Sequence, residues 1–185
     1  IHDLRLQTIK GLQGKAHGTS DQRVLATHAD QFAELAVQAE AYAKSLELTR
    51  AALAIARRVK DTRLEVDTRE KLKQRSMEKE LWEQAAAARA TLKATADDSG
   101  ANLTVGRYLC FVRDNWKAGL PHLKLGNDAK LAKLATREQT PPQDAQEQTT
   151  LADDWYAWGK QTSRKDKQAA WLRAKHWYTL AVPHL

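Results

Sequence analysis

Between Ser20 and Ala96 the chain contains neither Gly nor Pro and is built largely from Ala, Leu, Glu, Gln, Lys and Arg. Apolar positions there recur in steps of three and four: Val24, Phe32, Leu35, Ala36 and Ala39, then Leu46, Leu53 and Val59. That spacing is one face of an α-helix and not the alternation of a half-buried strand. The pattern predicts helix from Ser20, with Asp21 as its N-cap, to Val59, and a second long helix from Thr62 to Ala96. The second has only Leu64, Val66, Leu72 and Met77 as anchors before an Ala-rich end carrying Trp82. So thin a stripe suits a helix that covers one edge of its neighbours. Asp97, Asp98, Ser99 and Gly100 end it. Shorter helices are expected at 101–112, 115–124, 128–138, 147–162 and 166–182. Their separators are Asp114-Asn115, Gly126-Asn127, the loop from Thr140 to Asp144, and Ser163-Arg164. Residues 1–20 are polar and hold Gly11, Gly14 and Gly18, which predicts a loose lead-in before a single helical domain at 21–185.

The helices carry a repeat signal. Trp155-x2-Trp158-Gly159 is followed by Ala174-x3-Tyr178-x2-Ala181. The first group resembles the opening of a tetratricopeptide unit and the second its closing helix, about three residues further apart than usual. Trp116 to Leu120, with Leu123, Gly126 and Gly106, repeats the second-helix pattern, and Tyr42, Ser45, Leu46, Thr49 and Ala52 form a fainter copy. Small residues let two helix backbones approach, and each pair leaves an apolar face that a neighbouring pair buries. The expected fold is therefore all-α: antiparallel helix pairs stacked in a tetratricopeptide-like array, with the helix at 62–96 interrupting the series. Gly119 and Ala174 belong at close crossings, and Trp158 and Trp177 pack against each other's helices.

The run Ala101 to Phe111, then Trp116 to Leu120, Leu151 to Tyr156 and Arg173 to Tyr178, resembles an uncharacterised tetratricopeptide-like helical module of large bacterial multidomain proteins. The likeness covers roughly residues 30–185. It implies a helical fold and a place beside lectin-like or other ligand-binding domains. It also implies export to the periplasm or beyond, and it brings no chemistry.

At 185 residues the chain is the size of about one domain. With 42% hydrophobic and 29% charged residues it can bury a core and is not of disordered composition. No stretch approaches the ~18 unbroken apolar residues of a membrane-spanning helix. One cysteine excludes an intrachain disulfide framework and a multi-cysteine zinc site. The chain opens at Ile1 without the charged and apolar regions of a signal peptide, so a leader has been removed or the chain is part of a longer one. Lacking disulfides also fits the cytosol. Net charge is +7, and the excess lies mainly beyond residue 100. Such a balance permits polyanion binding without establishing it, because interspersed charges on helices usually form a solvated face.

Candidate chemistry is thin. None of the six histidines stands in a metal-binding spacing, and His176 beside Trp177 reads as a packing residue at the helix surface. Cys110 lies between Leu109 and Phe111, the setting of a small buried hydrophobe and not of a reactive thiolate. Asp153-Asp154 and Asp97-Asp98 are placed where helix caps are wanted. No catalytic residue, metal site or cofactor is expected. Two basic clusters remain: Arg57, Arg58 and Lys60 at a helix end, and Arg164, Lys165 and Lys167 in an inter-helix loop. Neither is interleaved with aromatics in the way single-strand binders require. The leading expectation is a non-catalytic interaction or scaffold module, partnered by a protein or a neighbouring domain. The alternative is a polyanion-binding module for nucleic acid or acidic polysaccharide that uses these six cations.

Overall fold

A computed structural model describes the backbone of all 185 residues and every side chain except that of Lys165. The chain is all-helical, and no strand occurs among the described residues. Its α-helices are α1 (His2–Gln13), α2 (Thr19–Gln38), α3 (Tyr42–Arg58), α4 (Thr62–Ala94), α5 (Ser99–Arg107), α6 (Trp116–Leu125), α7 (Ala129–Gln139), α8 (Ala145–Gln161) and α9 (Arg164–Ala181). A π-helical segment at Tyr108–Val112 extends α5, and a 3-10 turn at Val182–His184 follows α9. Two compact units divide the chain: Ile1–Trp82 and Glu83–Leu185.

Helix ends follow local side-chain chemistry. Asp98, Asn115, Asp128 and Asp144 cap α5, α6, α7 and α8, each accepting a backbone N–H of the first turn. Asp21 is no cap; α2 begins after Gly18, which offers no side-chain hydrogen bond. The long Gly-free stretch is not one helix up to Val59, because Glu40 takes a left-handed conformation (φ 55°). The Glu40 N–H reaches the Val37 carbonyl and the Ala41 N–H the Ala36 carbonyl, closing a Schellman turn. Lys60 (φ 54°) ends α3 in the same way. Both positions usually hold glycine, so the stops lack their ordinary sequence mark.

In the N-terminal unit, α1 packs on α2 and α3. The expected loose lead-in is therefore corrected: residues 2–13 are helical, with Leu6 and Ile9 buried in the core. Its glycines gather at the helix's end, where Gly14 is the C-cap, and leave the buried face intact. Opposite Leu6 and Ile9 lie Leu25, Ala26, Ala29, Ala33, Leu48, Ala52 and Ile55. Alanine on the facing sides of α2 and α3 lets the two helices sit close together. The half of α4 in this unit attaches mostly through polar groups. Arg75, 4% exposed, donates to Asp30 (2.8 Å), Thr49 (2.7 Å) and Glu34 (3.2 Å). Trp82 Nε1 donates to Glu40 at 3.0 Å.

In the C-terminal unit the helices pair through small residues. A Cβ added at Gly106 would lie 2.7 Å from Leu123, and one at Gly119 would overlap Cys110 Sγ. Gly119 thus sits at the tight crossing expected of it. In the antiparallel pair α8/α9, a Cβ at Gly159 would meet Trp171 at 2.7 Å, while Ala174 is buried. Trp155, Trp158 and Trp177 are buried around this pair with Leu131, Leu134 and Leu151. At their centre lies Glu138, its side chain fully buried. It accepts from the indoles of Trp155 (2.5 Å) and Trp177 (2.6 Å) and from Arg173 Nε and Nη2 (2.9 and 2.7 Å). Arg173 also lies over the Trp116 ring at 4.4 Å. No carboxylate at the end of a charged helix announces this arrangement; it exists only once three helices meet.

Candidate functional site

The groups capable of chemistry are mostly occupied by packing. Burial pushes the Cys110 thiol far above its ordinary range, so it stays protonated. His122 hydrogen-bonds the buried Asn102 at 2.8 Å, and burial followed by the Arg89 charge lowers its pKa. His176 is exposed, with its ring edge-on to Trp177. Asp153 and Asp154 lie in the middle of α8 and do not cap it; Asp144 does. Asp153 instead accepts from the Tyr178 hydroxyl, and Asp154 pairs with Arg137. The adjacent acids mark a helix face here, not a helix start. Asp98 alone of the two pairs acts as a cap. Among the described residues no group of three or more His, Cys, Asp and Glu is placed to hold a metal ion.

The two basic clusters fall in different units. In the N-terminal unit, Arg57 Nε donates to Glu65 at 3.1 Å, Arg58 borders a polar depression with Gln13, His17 and Gln22, and Lys60 occupies the turn after α3. In the C-terminal unit, the second cluster is the first turn of α9 and not a loop. The Lys165 side chain lies outside the described residues. Arg164 and Lys167 border a shallow depression with Trp171, Leu172 and Lys175.

This second cluster is interleaved with aromatic rings, contrary to the expectation from sequence. Lys167 Nζ sits 4.6 Å above the Trp171 ring, and Lys160 Nζ sits 4.7 Å above the Tyr156 ring. The two rings stack on each other at 5.7 Å and 27°. The order across the α8/α9 pair is thus lysine, tyrosine, tryptophan, lysine. Trp171 and Tyr156 keep 39% and 40% of their surface exposed, whereas Trp155, Trp158 and Trp177 are buried. Beyond them an apolar groove runs along Tyr156, Trp171, Ala174, Tyr178, Val182 and Pro183. Residues 155–185 hold six basic side chains and one acid, Asp166. That acid is buried and taken by Arg107 and Ser163. Lys160, Arg164, Lys167 and Lys175 have no carboxylate partner among the described residues.

Tyr156, Lys160, Trp171, Lys175 and Tyr178 were not expected as site residues. A signal for them was present, since Lys167, Trp171 and Lys175 recur at four-residue steps, as do Tyr156 and Lys160, and such residues share a helix face. Compared with known proteins, the chain matches no family model, no curated protein and no solved structure. No helix among the described residues is long and apolar enough to cross a membrane.

Proposed function

We propose that this chain is a non-catalytic interaction module whose recognition face is the exposed side of α8 and α9. The pairs α2/α3, α5/α6 and α8/α9 are read as tetratricopeptide-like units, a view supported by the small residues at the α5/α6 and α8/α9 crossings. The partner is a protein or a neighbouring domain. One observation carries the choice of face: four cations without carboxylate partners among the described residues surround two exposed stacked rings. Exposed aromatic rings beside an apolar groove are what interfaces enrich, and cations without an intramolecular ion pair around them are open to complementary charge on a partner. A nucleophile, or an acid and a base within hydrogen-bond reach in a shielded pocket, is what an enzyme reading would need.

The test is selection of ligands from a random peptide display library against the wild-type chain, followed by binding to a Lys160→Glu/Lys167→Glu variant. Lys160 is exposed, and Lys167 is half-buried against Trp171 in the first turn of α9, where an acid suits the helix dipole, so circular dichroism should show unchanged helix. Selected ligands are expected to lose most of their affinity for the variant. Ligands that bind both proteins equally would remove α8 and α9 as the recognition face.

A further inference from the structure

Resting on that reading of the face, we infer that its occupant is an acidic amphipathic peptide segment of a partner protein. Three features of the face select this chemistry. First, its accessible charge is predominantly positive, four cations against one exposed acid without an ion pair among the described residues, Asp153. Asp154 is paired by Arg137 and Asp166 by Arg107, and Asp153, bonded to the neutral Tyr178 hydroxyl, makes no ion pair with Lys160, Arg164, Lys167 or Lys175 and is the one acid left at the edge of the face. Carboxylates brought to these ammonium and guanidinium groups would meet complementary charge without displacing an existing pair.

Second, the flat faces of the rings are taken. Tyr156 and Trp171 cover each other on one side and carry Lys160 and Lys167 close to their faces. Nucleic-acid bases bind such platforms by stacking on open ring faces, and here a base would first have to displace a lysine. Third, the cationic end continues into the apolar groove ending at Val182 and Pro183, with Leu172 exposed beside Trp171. Phosphodiester or sulfated sugar chains gain little from Val, Pro and Leu. A helix or extended segment with Leu or Phe on one side and Glu or Asp on the other fills both halves together.

The probe is a fluorescein-labelled peptide of about four helical turns, with Leu and Phe at three- and four-residue spacing among Glu and Asp. Oligoglutamate of equal charge, a single-stranded oligothymidylate and heparin are measured beside it by anisotropy. The amphipathic peptide is expected to bind most tightly and to weaken about tenfold with either Lys160→Glu or Lys167→Glu. Its binding should decline with salt yet persist near 0.5 M, roughly where surface charges alone are screened. Tighter binding of oligothymidylate, heparin or oligoglutamate, itself lost in the lysine variants, would overturn the peptide assignment and leave the recognition face standing. Peptide binding indifferent to both variants, or no binding by any probe, would overturn both.

Discussion

The two units hold their helices together with buried ions of opposite sign. In the N-terminal unit a single Arg75 reaches from α4 into acids of α2, over a core made chiefly of Ala and Leu. In the C-terminal unit Glu138 gathers Arg173 and two indole N–H groups, inside a core of Leu and Ala that also holds Trp155, Trp158 and Trp177. The difference lies in how dry each site is. Around Arg75 the partners Asp30 and Glu34 keep 24% and 57% of their side-chain surface in water, whereas Glu138 keeps none. Water can replace a lost partner in the first unit and not in the second. Burying an ion pair is not in itself evidence of stability, but removing one member of a dry pair is costly.

Replacing Glu138 by Gln should therefore have the largest effect, about 3–5 kcal/mol, because it strands the Arg173 charge and sets an amide against indole donors. Arg75→Met should cost less, about 1–3 kcal/mol, since Lys71 still pairs with Asp30 at 2.8 Å. Hydrogen exchange resolved by peptide measures each unit separately and avoids the assumption of a single two-state transition. Equal losses in the two variants would break the comparison.

Overpacking sharpens the same contrast at the next magnitude. Gly119→Leu and Ala174→Leu each place bulk where a neighbouring helix already touches, at an expected cost of about 1–3 kcal/mol. A thermal midpoint unchanged in both variants would mean that the crossings can open. The tryptophan-packed unit would then be looser than its buried rings indicate.

Sequence periodicity made the helices from α4 to α9 readable to within a few residues. It also marked Gly119, because Gly recurs there within a small-residue pattern. What stayed hidden has a common cause. The stop at Glu40 is made by a residue that usually continues a helix, so nothing in composition marks it. Leu6 and Ile9 were obscured by glycines that end α1 without reaching its buried face. Glu138 sits between Arg137 and Gln139, where a charge ordinarily faces water, and only tertiary packing turns it inward. The exposed aromatic face was present as four-residue steps of Lys and Trp, but tryptophan in helical proteins is more often core. Trp171 shares the repeat context of its buried neighbours.

Acid separates the units again, more weakly. Burial tends to raise the pKa of Asp30, but hydrogen bonds from Lys71 and Arg75, with their charges, outweigh it and hold the value below the ordinary one. A folded-state pKa below the unfolded value means that the unfolded chain takes up the proton first. The stabilisation is complete above an unfolded pKa of about 4 and is lost as pH falls through the depressed folded value. Exchange protection of α2 and α4 in the N-terminal unit should fall in that range, and Asp30→Asn should flatten the dependence. An unchanged acid limb in Asp30→Asn would show that Arg75 is held by Thr49 and Glu34 instead.

The smallest expected effect lies at alkaline pH in the C-terminal unit, at the edge of the proposed recognition face. The Tyr178 hydroxyl donates to Asp153; that hydrogen bond, then burial and the carboxylate's charge, push its pKa up to about 12. Here the folded chain keeps the proton while an unfolded tyrosine loses it near pH 10. Stability from this contact is therefore whole below about pH 10 and declines as pH rises toward the folded value. The site is largely solvated, so the loss should be well under about 1 kcal/mol after screening. Subtracting the alkaline denaturation curve of Tyr178→Phe from that of the wild type isolates it from the other tyrosines. A difference that grows as pH rises would be the wrong sign, since wild type should converge on Tyr178→Phe as the hydrogen bond is lost. Ultraviolet titration of the phenolate gives the independent check: one tyrosine should ionise later in the wild type than in Asp153→Asn, because the neutral amide that replaces the carboxylate carries no charge to oppose the phenolate.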